Sequence, residues 1–341
     1  MRSSVRDEWW KEAQDPGNRR PTVRPLPGEH AERSGPWELY YDERFDTMMQ
    51  PVVVYGSDPE EHEVLYALQP KQIVTYRKTP LFKGTGDHTH VGYGGAAGGG
   101  KSYLARAVAA AVAHKWPGST SIIFRRTREE VIENHVKPFR EEVPEAYYRI
   151  NMTRLEVEWL ATGSFTKFGY LRREDDVYRY QGNSYDCMVF EESTHYSWWA
   201  VNWLTGNRLR ANVDPSEPFV VYPSNPGNQG HFWFKRLFID RDHRYDPELP
   251  REEWEEDPDE YAFVQAYLED NKVLMERDPS YIRQLKSLPE PERSWLMEGD
   301  WEAGAGLALP ELSRRVHLVD PFRAPEHWPW FGAFDWGFEH P

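Results

Sequence analysis

Short apolar runs alternate with longer stretches of helical spacing through the middle of the 341-residue chain. Val91 to Gly95 is an apolar run typical of a buried strand, and Lys101 to Trp116 is an alanine-rich stretch typical of a helix. Thr120 to Arg125 predicts a second strand. Thr127 to Val143 predicts a second helix, because a threonine N-cap and two glutamates open it. Two successive strand–helix units predict an α/β fold, with a mainly parallel sheet covered on both faces.

Further runs extend this pattern toward the C-terminus. Polar and apolar residues alternate on either side of a Thr-Gly-Ser turn, so residues 155–160 and 165–171 predict a hairpin. Residues 184–190 and 219–222 predict two more strands, and a tryptophan-rich helix is predicted between them near residues 197–209. The strand–helix alternation therefore continues beyond the first two units.

Changes in composition divide the chain into four predicted parts. The first mixes charges, prolines and scattered aromatic residues without a period, which predicts an extended arm with a short helix near Trp9. Early in the second part, Glu61 to Tyr76 has helical spacing broken near Pro70, which predicts an interrupted helix. The third part is more highly charged, and the last carries one apolar strand. The parts are an N-terminal arm at residues 1–55, a core at 56–235, a lid or linker subdomain at 236–327 and the final strand at 328–341.

The segment between the first strand and the first helix, GAAGGGKS, fully matches the G-x-x-x-x-G-K-[ST] phosphate loop. Its glycines can take positive φ and turn successive N–H groups toward a phosphate. Lys101 would place its charge at the β- and γ-phosphates, and Ser102 would offer its hydroxyl to Mg²⁺. The motif predicts nucleoside triphosphate binding, and the alternative is a glycine-rich surface loop. With the strand–helix pattern, the predicted fold class is a P-loop NTPase of the ASCE, RecA-like type. The predicted nucleotide-binding residues of the loop are Gly95, Ala96, Ala97, Gly98, Gly99, Gly100, Lys101 and Ser102.

Charge and composition limit the classes of partner. The formal net charge of −15 excludes a global basic field, so local arginine and lysine patches would have to hold any nucleic acid. A single cysteine, Cys187, excludes a disulfide framework within the chain and suits a reducing cytoplasm. No apolar stretch is long enough to span a bilayer, and the N-terminal residues lack the apolar centre of a secretory signal. We expect a soluble, intracellular protein without a membrane partner.

Two adjacent carboxylates follow the apolar strand that ends at Phe190. In α/β sheets, ligands bind at the carboxyl ends of the strands. Glu191 would hold Mg²⁺ through a water, and Glu192 would orient and polarise the attacking water. The usual metal-side residue is aspartate, so Glu191 must reach the same water from one methylene further away. The alternative is a surface pair that caps the next helix, and Asp186 before the strand is predicted to be a turn residue.

Phosphoryl transfer also needs a cation for the charge of the transition state. Arginines near the predicted strand ends could supply it from the same subunit or from a neighbouring one, and the sequence does not rank them. An exposed surface position is the alternative for each. The candidates are Arg125, Arg126, Arg179, Arg208 and Arg210.

Three polar side chains are further candidates. Ser224 and Asn225 follow the strand at residues 219–222, where a hydroxyl and an amide could sense the γ-phosphate, although Ser-Asn-Pro-Gly is also an ordinary turn. Gln72 precedes the first core strand, and its amide could pair with the hydrogen-bonding edges of adenine. His88, His90 and His231 have no metal-ligand spacing with the lone cysteine and are predicted to be structural or surface residues.

Together these features resemble the large terminase subunit of tailed bacteriophages, the motor that packages DNA into the capsid. The resemblance extends from about Leu68 to the end of the chain, and the later segments are more specific than the phosphate loop. The matching segments are GGAAGGGKS, IIFRRTREEVIENHVKPFRE, YRYQGNSYDCMVFEES, NRLRAN, YPSNPGNQGHFWFKRLFI, DPSYIRQLKSLPEPERSWLMEGDW and FGAFDWG.

The resemblance implies an ATPase domain with a small lid, with ATP and Mg²⁺ as cofactors. It implies that Gln72 belongs to an adenine-binding motif and that Ser224 and Asn225 couple hydrolysis to movement. The family's trans-acting arginine should be Arg179, Arg208 or Arg210.

The same resemblance implies a second domain, a nuclease of the ribonuclease H type. Asp335 matches its first metal-binding aspartate, and the partner carboxylates would lie beyond Pro341, so we expect no nuclease activity from this chain. The implied partners are double-stranded DNA, the portal protein, the small terminase subunit and further copies of the chain. The copies would form a ring, a pentamer, on the portal, with a monomer possible in solution. The implied location is the host cytoplasm, with transient docking on the procapsid.

Two other functions remain as alternatives. A helicase-like or other ATP-dependent nucleic-acid enzyme would need a second RecA-like domain. A small-molecule P-loop kinase would need an arginine-rich lid and would leave Glu191 and Glu192 unexplained.

Overall fold

The computed structural model describes residues 22–23, 40–42, 47–58, 61–82, 88–243, 258–303 and 327–328. Its centre is an eight-stranded sheet with the strand order β12-β5-β11-β10-β6-β9-β8-β7. The strands from β12 to β9 are parallel, and β8 and β7 continue the sheet antiparallel. The bounds are β5 His90–Gly95, β6 Thr120–Arg125, β7 Tyr148–Asn151, β8 Glu156–Trp159, β9 Phe165–Tyr170, β10 Cys187–Phe190, β11 Phe219–Ser224 and β12 Tyr261–Ala266.

Helices cover both faces of this sheet, as the strand–helix alternation predicts. They are α1 Pro70–Lys78, α2 Lys101–Lys115, α3 Arg128–Val131, α4 Lys137–Glu142, α5 Trp198–Arg208, α6 His231–Phe234, α7 Lys272–Arg277 and α8 Tyr281–Lys286. A π-helical turn at Ile132–Val136 joins α3 to α4, and two more π-helical turns lie at Lys235–Ile239 and Ser294–Glu298.

Alternate residues of the central strands enter two separate cores. On one face, Ile123 of β6 and Val189 of β10 pack with the alanine-rich helix α2. On the other, Ile122 and Met188 pack with α5. Burial on both faces explains why these strands are continuous apolar runs, and it confirms the predicted α/β fold.

Several predicted elements are confirmed in detail. β8 and β9 form the antiparallel hairpin, with Glu156 opposite Lys167. The second helix begins after Thr127, whose hydroxyl accepts a hydrogen bond from the Glu130 N–H. The helix after β10 begins after Ser197, whose side chain caps the Ala200 N–H. Local signals therefore locate these elements correctly.

The predicted helix from Glu61 to Tyr76 is wrong in its first half. Glu61–Leu68 is strand β4, and only Pro70–Lys78 is helical, with the proline at the start where its missing N–H costs nothing. β4 pairs with β3 Thr47–Asp58 in a small antiparallel sheet, whose other strands are β1 Thr22–Val23 and β2 Tyr40–Asp42. The strand order of this sheet is β1-β4-β3-β2. A short apolar run fits a strand or a helix equally well, so spacing alone could not separate them.

The predicted boundaries also differ from the structure. The boundary after residue 55 falls inside β3, so part of the predicted arm is sheet. The predicted lid at residues 236–327 contributes β12, which pairs in parallel with β5 and is an edge strand of the central sheet. Acidic residues on both sides of this six-residue strand hide it in the sequence. Trp9 and Asp335 lie outside the described residues, and so do residues 328–341 apart from Trp328.

Asp186, predicted to be a turn residue, is a buried hydrogen-bond acceptor at the amino end of β10. Its carboxylate accepts hydrogen bonds from the Thr120 N–H at 2.8 Å, the Asn212 N–H at 2.8 Å and the Ser216 hydroxyl at 2.6 Å. The Asn212 side-chain amide donates a further bond of 2.9 Å. This carboxylate therefore joins the starts of β6 and β10 to the loop before β11.

Replacing Asp186 with alanine is expected to lower the free energy of unfolding by about 3 kcal/mol, because several buried donors lose their acceptor. Urea unfolding followed by circular dichroism would measure the change. The exposed Asp175→Ala is the control and should stay within about 0.5 kcal/mol of the wild type. Equal stability of the two variants would show that the Asp186 network contributes little.

Candidate active site

The phosphate loop lies between β5 and α2 at the carboxyl edge of the sheet. Gly98 and Gly100 have φ of 76°, in the left-handed region that favours glycine. A Cβ on Gly100 would lie 2.5 Å from Gln72 Nε2, and one on Gly98 would lie 2.6 Å from Leu268 Cδ1. Both backbone angle and close packing therefore require glycine at these positions.

The N–H groups of the loop divide into two sets. The Ala96 N–H donates to the Ala266 carbonyl at 3.0 Å, and the Ala97 N–H donates to the Leu296 carbonyl at 2.6 Å. Among the residues that the structure describes, the N–H groups of Gly98, Gly99 and Gly100 have no protein acceptor. Three successive open N–H groups at a helix N-terminus are suited to binding an anion.

Lys101 is buried beside the loop. Its ammonium donates to the Ala96 carbonyl at 2.8 Å and to Asn225 Oδ1 at 2.6 Å. Burial lowers the pKa of Lys101, and the neighbouring Glu192 and Glu191 oppose that shift. The structure therefore brings together Lys101 and Asn225, which are far apart in sequence.

Glu191 is buried at the end of β10, where its carboxylate accepts a hydrogen bond from the Ser102 hydroxyl. The Arg125 guanidinium lies 3.7 Å from Glu191 and 3.8 Å from Glu192. Burial alone would raise the pKa of Glu191, but His135, Arg125 and the Ser102 hydroxyl together lower it to about 2. Glu191 is therefore an ionised carboxylate directly against the serine of the phosphate loop.

These residues fit Mg²⁺ because a hydroxyl and a carboxylate are the hard oxygen ligands that this ion prefers. Across the described ranges, no group of three or more His, Cys, Asp or Glu side chains is arranged to hold a metal. Ser102 and Glu191 would share the ion with nucleotide phosphates, because proteins usually bind Mg²⁺ through one or two ligands together with substrate phosphates.

Glu192 is half-buried beside Glu191 and has a φ of 52°, unusual for a residue with a side chain. This left-handed backbone costs about 1 kcal/mol or more and is typical of functional sites. Glu192 precedes the short helical turn Ser193–His195. Glu191 bonds to Ser102, whereas Glu192 shares Arg125 with Glu191.

Ser224 and Asn225 connect the loop after β10 to the phosphate loop. The Ser224 hydroxyl accepts from the Thr194 N–H and donates to the Thr194 hydroxyl, both at 3.1 Å. The Thr194 hydroxyl donates to the Asn225 carbonyl at 3.0 Å. With the Lys101–Asn225 bond, this network links the segment that follows Glu192 to the phosphate-loop lysine.

Gln72 lies next to the phosphate loop, as its predicted role requires, but the chain itself holds its amide. Nε2 donates to the Gly100 carbonyl at 2.9 Å, and Oε1 accepts from the Gln69 N–H at 3.0 Å. The side chain is buried. Gln72 therefore fixes α1 against the loop, and its pairing with adenine stays a prediction.

Of the predicted arginines, Arg125 lies at the site beside Glu191 and Glu192, and Arg126 donates to the His195 carbonyl at 3.2 Å. Arg208 and Arg210 bracket Tyr185 through backbone hydrogen bonds of 2.9 and 3.0 Å, which places them at the amino end of β10, opposite the site. Arg179 pairs with Asp176 at 2.9 Å and lies over the Tyr170 ring. In their own subunit Arg208 and Arg210 therefore lie at the edge of the sheet opposite the site, and their role toward a neighbouring subunit stays a prediction.

His135 and Asn271 contact the site but were not among the residues predicted from the sequence. His135 Nε2 lies against the Glu191 carboxylate, and Asn271 donates from Nδ2 to the Gly98 carbonyl at 2.6 Å. Asn271 lies in the predicted lid, so this segment does cover the loop. For His135 the proline at position 138 is the available signal, since it disturbs the helix that carries the histidine.

No helix within the described part of the chain is long and apolar enough to cross a membrane.

Comparison with solved structures supports the fold. The large terminase from a thermophilic bacteriophage, in complex with ADP, has a TM-score of 0.53 and 15% identity, covering 69% of this chain and 54% of that chain. The same phage protein in complex with ATP-gamma-S has a TM-score of 0.51 and 15% identity, covering 75% and 58%. At such identity the likeness shows the fold alone. The chain spans little more than half the length of these proteins.

Comparison of the sequence gives the family. No curated protein matches the chain. A family model described as "Terminase large subunit, T4likevirus-type, N-terminal" matches residues 93–312, from β5 through the segment that covers the phosphate loop. The chain therefore belongs to the large terminase subunit family and contains its N-terminal region.

Proposed function

We propose that this chain hydrolyses ATP to drive packaging of double-stranded DNA. The main observation in favour of hydrolysis is the contact between the Ser102 hydroxyl and the buried Glu191 carboxylate. Glu192 follows Glu191, and the Arg125 guanidinium lies near both carboxylates. This combines a phosphate-loop serine, a metal-side carboxylate and a second carboxylate that can orient water. The ADP and ATP-gamma-S complexes of the thermophilic phage large terminase agree with a nucleotide at this loop.

Each residue has a distinct role in the proposed reaction. The open N–H groups of the loop bind the phosphates, and Lys101 adds a positive charge at the β- and γ-phosphates. Ser102 and Glu191 hold Mg²⁺, which when bound neutralises charge that develops on the phosphate oxygens. Glu192 orients the attacking water and accepts its proton, while the positive charge of Arg125 lies close to both carboxylates.

We propose that ATP hydrolysis also moves DNA. Ser224 and Asn225 link the segment after Glu192 to Lys101, so a change at the γ-phosphate would reach β11 through hydrogen bonds. We infer that this network couples hydrolysis to movement. A transition-state arginine would come from a neighbouring copy in a pentameric ring, with Arg179, Arg208 and Arg210 as candidates.

The remaining partners and location follow from the family. We propose the portal protein and the small terminase subunit as partners, and the host cytoplasm as the location, with transient docking on the procapsid. Basic residues would grip the DNA phosphates locally, because the chain as a whole carries a formal net charge of −15.

Phosphate release from ATP and Mg²⁺ tests the function. The purified chain should release phosphate slowly without an acceptor, and DNA with portal-bearing procapsids should raise the rate. Stimulation by single-stranded DNA alone would favour a helicase-like enzyme. Transfer of the phosphate to a small hydroxyl acceptor would favour a kinase, and no release under any condition would contradict ATPase activity.

A further inference from the structure

His135 is a fully buried imidazole that the proposed reaction leaves unused. Its Nε2 lies against Glu191 Oε2, while the other carboxylate oxygen of Glu191 accepts the Ser102 hydrogen bond. The imidazole ring stacks on Phe168 with a centroid distance of 6.2 Å and an interplanar angle of 26°. Glu191 therefore contacts a residue of the phosphate loop through one oxygen and His135 through the other.

The π-helical turn Ile132–Val136 gives His135 this position. In a regular α-helix the Asn134 carbonyl would accept the N–H of residue 138, but Pro138 has no N–H and its ring would clash with that carbonyl. The chain widens instead, and the Lys137 N–H donates to the Ile132 carbonyl, five residues back. Pro138 thus accounts for a wide turn at His135 between two ordinary helical segments.

Arg106 takes over the carbonyl that Pro138 leaves without a donor. Its Nη1 donates to the Asn134 carbonyl at 2.7 Å, and its other nitrogens donate to Glu142 at 2.7 and 2.5 Å. Arg106 lies one turn after Ser102 on α2, and its side chain is buried. The same helix therefore holds the π-helical turn through Arg106 and contacts Glu191 through Ser102.

These contacts connect α2, the π-helical turn and the Glu191 carboxylate to one another. Glu191 meets Ser102 of α2 and His135 of the π-helical turn, and Arg106 of α2 bonds the Asn134 carbonyl in that turn. Arg125 is a competing partner, because its guanidinium lies 3.7 Å from Glu191 Oε2 and similarly close to Glu192. Without His135, Glu191 could rotate toward Arg125 and withdraw its other oxygen from Ser102.

We propose that His135 is a positioning residue that holds the Glu191 carboxylate facing Ser102, ready for nucleotide-bound Mg²⁺. This inference rests on the proposed ATP-binding function. His135 is not a catalytic residue, because Glu191 lies between it and the phosphate loop. Residues that orient a metal-side ligand typically contribute about 10- to 100-fold to metal affinity or activity.

The test measures the affinity of a fluorescent ATP analogue with Mg²⁺ and with EDTA, together with the hydrolysis rate and the melting temperature. His135→Leu fills the space without a donor and should reduce the Mg²⁺-dependent gain in affinity about tenfold, and kcat by a similar factor. Affinity in EDTA should not change. His135→Gln keeps a nitrogen donor and should recover most of both losses. His114→Leu, on the far end of α2, is the matched control and should resemble the wild type.

The outcomes separate the inference from the function on which it rests. If the wild type shows no Mg²⁺-dependent nucleotide binding, both the function and the inference fail. If the wild type shows it and His135→Leu retains it, the inference alone fails. Equal losses in His135→Leu and His135→Gln, with a lowered melting temperature, would assign His135 a structural role and also overturn the inference.

Pro138→Ala provides a second route if His135→Leu does not fold. It restores an N–H that can compete with Arg106 for the Asn134 carbonyl, so the π-helical turn should relax toward a regular helix. The Mg²⁺-dependent gain in affinity should then fall while the melting temperature stays the same or rises. An unchanged gain would overturn the positioning role of the turn.

Discussion

Replacing Glu192 with glutamine is expected to lower kcat for ATP hydrolysis by about 10²-fold or more and to leave nucleotide affinity nearly unchanged. The amide keeps the size of the side chain but cannot accept a proton from water. The phosphate-loop serine hydrogen-bonds to Glu191 rather than to Glu192. Ground-state binding of ATP and Mg²⁺ should therefore survive while the chemical step slows.

The measurement is single-turnover hydrolysis of bound ATP, with affinity determined separately from a fluorescent analogue. Glu145→Gln changes an exposed acid elsewhere and is the matched control. Glu191→Gln should behave differently from Glu192→Gln, because it weakens the hydrogen bond with Ser102 and should reduce Mg²⁺-dependent affinity as well as rate. If Glu192→Gln turns over at the wild-type rate, another group orients the water.

The sequence predicts a pair of glutamates at the site but does not specify which of the two contacts Ser102. The phosphate loop and the apolar run before Glu191 are local patterns, and both lie where predicted. Which glutamate meets Ser102 depends on the backbone at Glu192, whose φ of 52° turns the chain after Glu191. No local pattern in the sequence specifies such an angle for a glutamate.

The sequence could not predict which arginines lie at the site, because contacts between residues far apart in the chain decide their positions. Arg125 was one of five equivalent candidates until the pairing of β6 with β10 placed it beside Glu191 and Glu192. Conversely, the pairing of Tyr185 with Arg208 and Arg210 placed those two at the opposite edge. Strand order and register decide these positions, and neither can be derived from the spacing of residues along one chain.

The same limit explains the errors at the edges of the core. β4 begins with two glutamates and a histidine, and β12 is a short apolar run between acidic segments, so the strands with which they pair, rather than their own residues, make them strands. The segment after β12 contacts the phosphate loop through Asn271 and through the Leu296 carbonyl. The predicted lid is thus part sheet edge and part cover for the loop.

Lys101→Ala is the second change with a large expected effect, and it should reduce nucleotide affinity and hydrolysis together. The ammonium lies at the phosphate loop and also holds Asn225 by a bond of 2.6 Å. Removing it takes away the charge at the β- and γ-phosphates and frees the Asn225 side chain. We expect about 10²-fold weaker binding, which corresponds to about 2.7 kcal/mol, and a further loss in rate.

The melting temperature without nucleotide shows whether Lys101→Ala loses nucleotide affinity because it is misfolded. Burial lowers the pKa of Lys101, so below its unfolded pKa the charged side chain costs folding free energy. Loss of the hydrogen bonds to Ala96 and Asn225 opposes the gain from removing this charge, so Lys101→Ala should melt close to the wild-type temperature when no nucleotide is present. Added ATP and Mg²⁺ should raise the melting temperature of the wild type and of the exposed control Lys286→Ala, and should raise that of Lys101→Ala much less at the same nucleotide concentration. A nucleotide-dependent rise of wild-type size in Lys101→Ala would show that the phosphates bind elsewhere.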